Sequence, residues 1–264
     1  MKHDSENELE AALRRAADEP ATRPDFYRLL VESQVFILGK SDSASEGDSM
    51  IPAGSNLAIV NWQRQDGSPV IPFFTSLSAL QRAIEEEQPY VALPARALFE
   101  ITQGASFFLN PRSAYGKEFY PQEISAILST GTNHVPERRV VQKETRVLLG
   151  QPKIYPSEMV GAITLLLAKH PNVKAAYLAL MSQPDAAPMQ SLVIGIEGDG
   201  DLEDAIRQVG SVAGDTRPRE FPVDLVQVKS GESGLSEYFL SSTKPFYERS
   251  WGAKIKSSFG WWPA

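Results

Sequence analysis

The chain has 264 residues, 42% of them hydrophobic and 22% charged, the profile of an ordinary globular protein with length enough for two domains. It contains no cysteine, which removes disulfides, thiolate nucleophiles and thiolate metal sites together. A formal net charge of -7 opposes general attraction to phosphate backbones, so no nucleic-acid partner is expected.

The chain opens Met1-Lys2-His3-Asp4-Ser5-Glu6, passing straight into charged side chains; no secretory signal is expected, and a cytoplasmic setting is the default. No run approaches the ~18–20 apolar residues of a membrane-spanning helix, so no membrane partner is expected either. Leu9, Ala12, Leu13 and Ala16 recur at helical spacing, with acids leading and arginines following. Pro20 breaks that helix, and Pro24 opens a second one over Asp25 to Ser33. Gln34 to Leu38 reads as a strand. The stretch 39–55, rich in Ser, Gly and Asp, reads as a mobile loop. Strands over Asn56–Trp62 and Val70–Phe74 flank Asp66-Gly67, a hairpin signal. A helix over Ser76–Glu87, a strand over Tyr90–Leu93, a helix from Pro94 to Thr102, a strand over Ser106–Leu109 and a helix over Gln122–Leu128 follow. These interleaved elements predict a mixed N-terminal domain over 1–136.

Ser129 to Glu144 is polar and turn-rich and reads as a linker. Beyond it come a strand (Arg146–Leu149), a helix (Ser157–Lys169), two strands (Val173–Met181 and Gln190–Glu197), a helix (Leu202–Val212) and a strand (Val223–Val228). This β-α-β-β-α-β order predicts a ferredoxin-like domain over 137–264, two helices on one face of a four-stranded antiparallel sheet. An extra helix over about Ser233–Ser250 closes it. The expected fold class is therefore α+β, in two mixed domains.

Candidate chemistry is sparse. Gly39-Lys40-Ser41 lacks the glycine and following helix of a phosphate-binding loop. Gly195, Gly198 and Gly200 stand in the wrong order for a dinucleotide fingerprint and out of register for a calcium loop; they suit a sharp strand-to-helix turn. His3, His134 and His170 show no ligand spacing, so no metal site is expected. No nucleophile elbow is present. Lys117 beside Glu118 is the one lysine placed for acid–base work, and a solvated ion pair in a loop is the plainer reading. No catalytic or cofactor-binding residue is assigned.

The C-terminal stretch is the richest feature. Phe246, Tyr247, Arg249 and Trp251 are followed by Phe259, Trp261 and Trp262, so three of the four tryptophans fall in the last fourteen residues. Such residues either close their own domain or anchor a partner, since Trp, Tyr and Arg dominate binding hot spots. These seven are the candidate partner-binding residues. The expected partner is another protein or a second copy of the chain.

Several of these segments together resemble the bacterial enhanced serine sensitivity family, SseB. The resemblance is carried by Asn7-Glu8-Leu9-Glu10, Glu19-Pro20 with Arg23-Pro24, and Val70-Ile71-Pro72-Phe73-Phe74-Thr75-Ser76 with Leu80. It continues through Gly116-Lys117-Glu118-Phe119 with Glu123, Leu192-Val193-Ile194-Gly195-Ile196-Glu197 with Asp199-Gly200-Asp201, and Pro245-Phe246-Tyr247-Glu248-Arg249 with Trp251-Gly252. It spans nearly the whole chain as an N-terminal and a C-terminal domain. It implies an intracellular bacterial protein connected with altered serine tolerance, with no established catalytic activity. The ending Phe259-Gly260-Trp261-Trp262-Pro263 departs from the family pattern. The leading expectation is a non-enzymatic protein working by protein–protein contact. The alternative is a sensor that binds an amino acid or related metabolite in a cleft between the domains.

Overall fold

The computed structural model describes residues 6–42, 56–134, 147–183 and 190–249. The chain divides into two compact units, Met1–Val135 and Pro136–Ala264, each with its own sheet.

In the first unit, helix α1 (Glu8–Asp18) starts at a reciprocal cap. Glu10 N–H donates to Asn7 Oδ1 at 2.8 Å, and Asn7 N–H donates to Glu10 Oε2 at 3.2 Å. A 3-10 turn at Pro20–Thr22 leads into α2 (Arg23–Glu32), which carries Pro24 in its first turn. The sheet is made of β1 (Gln34–Ser41), β2 (Leu57–Ile59), β3 (Trp62–Gln63), β4 (Pro69–Phe74), β5 (Tyr90–Pro94), β6 (Phe107–Leu109) and β7 (Lys117–Phe119). Helices α3 (Leu77–Ala83), α4 (Ala95–Ile101) and α5 (Pro121–Thr130) are interleaved with these strands.

Strand β1 is the hub. It pairs antiparallel with β5 over Gln34–Leu38, with β4 at Phe36 and Ile37, and with β2 over Gly39–Ser41. Strand β4 runs parallel to β6, and β6 antiparallel to β7. Because side chains alternate across a strand, β1 sends Val35 and Ile37 to one face and Leu38 to the other. The first face meets α1, α2, α4 and α5 around Phe26, Leu30, Phe73, Phe99, Phe107 and Phe119. The second meets α3 through Leu38, Phe74, Leu80 and Ala83, with Trp62 alongside.

The expected loop over 39–55 begins later than its composition suggested. Gly39, Lys40 and Ser41 belong to β1, and a Cβ on Gly39 would lie 2.3 Å from the Ala58 carbonyl oxygen, so β2 closes on a position with no side chain. Residues 43–55 lie outside the described residues. The hairpin at Asp66-Gly67 forms: Arg64 N–H donates to Ser68 O at 2.9 Å, and Gly67 takes a φ of 80°. Hydrogen bonds from Ser68 hold the Asp66 carboxyl below the usual carboxylate range. Lys117, expected in a loop, lies in β7.

The second unit contains β8 (Leu148–Gly150), α6 (Ser157–Leu167), β9 (Val173–Ser182), β10 (Gln190–Gly198), α7 (Glu203–Thr216), β11 (Val223–Val228), α8 (Leu235–Ser242) and β12 (Tyr247–Glu248). The ferredoxin-like arrangement is not the one formed. That fold interposes another strand between each crossover-linked pair, whereas here β10 and β11 are direct parallel neighbours over Leu192–Glu197 and Val223–Val228. The strand order is β11-β10-β9-β12, and β8 pairs with the far end of the same β9 edge that holds β12. The alternation of apolar residues marks the strands and leaves their lateral order open; three-residue β8 pairs only with Leu180–Ser182, outside β9.

The terminal helix is also shorter than its sequence reading over about 233–250. Helix α8 ends at Ser242, Thr243 is extended with its hydroxyl donating to Phe239 O at 2.7 Å, and past Pro245 the chain joins the sheet as β12. Strand alternation puts Tyr177, Ala179 and Val193 against Phe239 of α8. Leu178, Leu192, Ile194 and Ile196, also buried, face the opposite side. Gly195 lies under α8, where a Cβ would meet Val228 Cγ2 at 2.7 Å and Phe239 Cδ2 at 2.8 Å.

Candidate functional site

Among the described residues, three places where polar or aromatic side chains meet are each built by an identifiable local device. The first joins α1 to the sheet. Glu10 Oε1 accepts from Thr75 Oγ1 at 3.0 Å and from Ser76 Oγ at 2.6 Å, while Asn7 Nδ2 donates to Thr75 O at 2.9 Å. Asn110 completes the cluster: its Oδ1 accepts from Thr75 N–H at 2.9 Å, and its Nδ2 donates to Thr75 Oγ1 at 2.9 Å. Asn110 holds a φ of 49°, a region that asparagine tolerates better than most side chains. Each of these hydrogen-bonding atoms has a partner, so the cluster is a joint between three elements.

The second place surrounds Lys117. Its Nζ lies 3.0 Å from Glu123 Oε1 and 4.8 Å from the ring centre of Phe119. Glu118, its neighbour in sequence, instead faces Arg64 Nε at 3.4 Å. The lysine and carboxylate that stand adjacent in sequence are therefore divided between two separate ion pairs.

The third place is the segment Pro245–Arg249. Phe246 N–H donates to Ala176 O and Arg249 N–H to Lys174 O, each at 2.8 Å, which lays the segment along β9. Arg249 then reaches the end of α6: its Nη2 donates to His170 O at 2.7 Å and to Leu167 O at 3.3 Å, and its Nε to Val173 O at 3.0 Å. Tyr247 Oη donates to Leu167 O at 3.2 Å. A cation and a hydroxyl thus add second donors to carbonyls at the end of a helix, where Leu167 O already accepts from His170 N–H and His170 O from Val173 N–H.

Of the seven candidate partner-binding residues, Phe246 and Tyr247 are half-buried on their own sheet, and Arg249 is engaged with α6. Trp251, Phe259, Trp261 and Trp262 lie outside the described residues. On the α8 face, Tyr177 Oη donates to Glu197 Oε2 at 2.8 Å; burial, then that hydrogen bond, raise the Tyr177 phenol above its ordinary range. The His170 imidazole Nε2 is buried and has no hydrogen-bond partner among the described residues. Among the described residues no group of three or more His, Asp or Glu is placed to hold a metal ion, and no helix is long and apolar enough to cross a membrane.

A set of exposed apolar side chains escaped the sequence reading. Leu148 of β8 is 55% exposed, Ile154 and Tyr155 in the next loop 79% and 48%, and Leu165 of α6 61%. Gly161 and Ala168, one turn either side of Leu165, are exposed as well. A signal was present: from Met159 to Leu167 only Thr164 carries a polar side chain, more apolar surface than a helix covering one side of a sheet requires.

Comparison with known proteins agrees with the division into two units. The SseB protein N-terminal domain matches residues 9–126, and the SseB protein C-terminal domain matches residues 141–249. Protein SseB of Escherichia coli (strain K12) and Protein SseB of Shigella flexneri are each 41% identical to the chain over 253 residues, 96% of either length. No solved structure matches the chain at a significant level. The two matched domains and the relatives' nearly full-length coverage make the chain a member of the SseB family.

Proposed function

We propose that this SseB-family protein acts by binding another protein through the β8–α6 side of its C-terminal unit, without turning over a substrate. The observation that carries this reading is the exposure of Ile154 (79%) and Leu165 (61%), with Leu148 and Tyr155 exposed as well. Leaving a leucine or isoleucine side chain in water forgoes about 1.5–3 kcal/mol of burial, which a partner covering it recovers. Trp251, Phe259, Trp261 and Trp262 add the residue types that dominate binding hot spots. The setting is the intracellular one, connected with serine tolerance, that the family resemblance implies.

The ionisable groups that do meet support the same reading. Lys117 is paired with Glu123, and Tyr177 with Glu197. A general base needs a partner in the substrate, and these groups already hold one within the chain. The test is a photo-crosslinking residue placed at Tyr155, next to Ile154, and separately at Leu165, in the intact chain inside a bacterial host. The same protein adduct from both positions, lost in Ile154→Asp, is the expected result. Folded protein giving no adduct at either position overturns the reading.

A further inference from the structure

The opposite edge of the C-terminal sheet ends in β11, and among the described residues no strand covers its outer side. Its ladder to β10 decides which groups point outward. Leu192 is registered with Val223 and donates its N–H to Pro222 O at 2.9 Å. In a parallel ladder this turns the N–H and C=O of Pro222, Asp224, Val226 and Val228 toward β10, apart from the N–H that proline lacks. Those of Val223, Leu225 and Gln227 turn away from the sheet.

Edges of this kind are normally blunted by proline, lysine or a bulge. The edge strand β5 of the first unit carries a proline within the strand, Pro94, whereas β11 has one only before it, Pro222. None of the three outward positions of β11 is proline or lysine, and its first four residues are all half-buried.

We propose that β11 pairs antiparallel with β11 of a second copy, about a two-fold axis at Leu225, joining two C-terminal sheets into one. The strand is self-complementary in this register. Outward groups must oppose outward groups, which sets Leu225 against Leu225 of the second copy and Val223 against Gln227 of the second copy. Asp224 then lies opposite Val226 of the second copy, and no like charges meet. Sliding the pair two residues one way sets Asp224 against its own copy; sliding it the other way sets Val223 against Lys229. One register therefore avoids both defects, and a self-complementary patch is what a two-fold interface requires.

This edge is separate from the surface around Leu165, so the pairing stands apart from the proposed protein partner. The absence of cysteine makes the register directly testable. Opposed residues in such a pair have Cα atoms about 5.5 Å apart, within disulfide reach. Leu225→Cys is expected to give a covalent dimer of the full chain under mild oxidation. Gln227→Cys is expected to give none, because its own copy lies about 13 Å away along the strand, whereas Val223→Cys with Gln227→Cys restores crosslinking. Gln227→Pro removes only an outward N–H on an exposed residue and leaves the β10 ladder whole. By sedimentation it is expected to weaken the dimer about tenfold or more with an unchanged circular dichroism spectrum. Wild-type protein that stays monomeric at every concentration overturns the proposal. So does a dimer that Gln227→Pro leaves intact and Leu225→Cys does not trap. Leu165→Asp is expected to leave dimerisation unchanged, so loss of the partner and loss of the dimer remain distinguishable.

Discussion

Arg249 and His170 stand 79 positions apart in sequence and 2.7 Å apart through a guanidinium-to-carbonyl hydrogen bond. That contact, with those to Leu167 and Val173, fastens the C-terminal segment to the end of α6 and holds β12 on the edge of β9. The Arg249 cation sits where the helix dipole is negative and several carbonyls converge. Arg249→Ala is therefore expected to destabilise the C-terminal unit by about 1–3 kcal/mol. Arg249→Lys should recover less than half, since an ammonium cannot reach the carbonyls with a planar fork. Urea unfolding followed by circular dichroism measures both; equal stability of Arg249→Ala and wild type refutes the cap.

Asn110 holds a left-handed backbone while its side chain serves the Thr75 backbone and hydroxyl. Asn110→Ala loses both bonds and keeps the unfavourable φ, with an expected cost of about 2–4 kcal/mol. Asn110→Gly keeps the loss and relieves the backbone, so it should fall between alanine and wild type. An alanine variant as stable as glycine would show that the φ carries no penalty.

Gly195 leaves room for Phe239 on the sheet. Gly195→Ala should cost about 1–3 kcal/mol through overpacking. Combined with Phe239→Leu, the added cost should shrink, and a double-mutant cycle reads that coupling. Strict additivity contradicts the contact.

Tyr177 gives the folded state an alkaline limit. Burial, then the hydrogen bond to Glu197, raise its pKa in the folded protein, so the folded state keeps a proton that the unfolded chain releases. The contribution is complete below the ordinary tyrosine value, near 10, and is lost as pH rises toward the folded value. Urea midpoints should therefore fall more steeply above about pH 10 in wild type than in Tyr177→Phe. Parallel curves for the two proteins count against this assignment.

Much of the local structure was legible because short-range chemistry dictates it. Asn7 with Glu10 announces a capped helix, Asp66-Gly67 a hairpin, and the unbroken apolar run from Leu192 to Ile196 a buried strand. The joint around Thr75 was not legible, since its members come from positions 7, 10, 75, 76 and 110 and share no local pattern. Lys117 shows the same limit: its sequence neighbour Glu118 alternates to the other face of β7, and the carboxylate that meets it comes from α5.

The chain by itself determined an α+β composition, the places where most helices and strands form, and membership of a family recognisable from dispersed short segments. Capping, turn chemistry and apolar periodicity act over a few residues, so they can be read in one dimension. Strand order in the second sheet, the engagement of Arg249 with α6 and the open edge of β11 were decided only by tertiary structure. Each depends on which surfaces compete for burial once the chain has closed on itself, and that competition is settled between residues far apart in sequence.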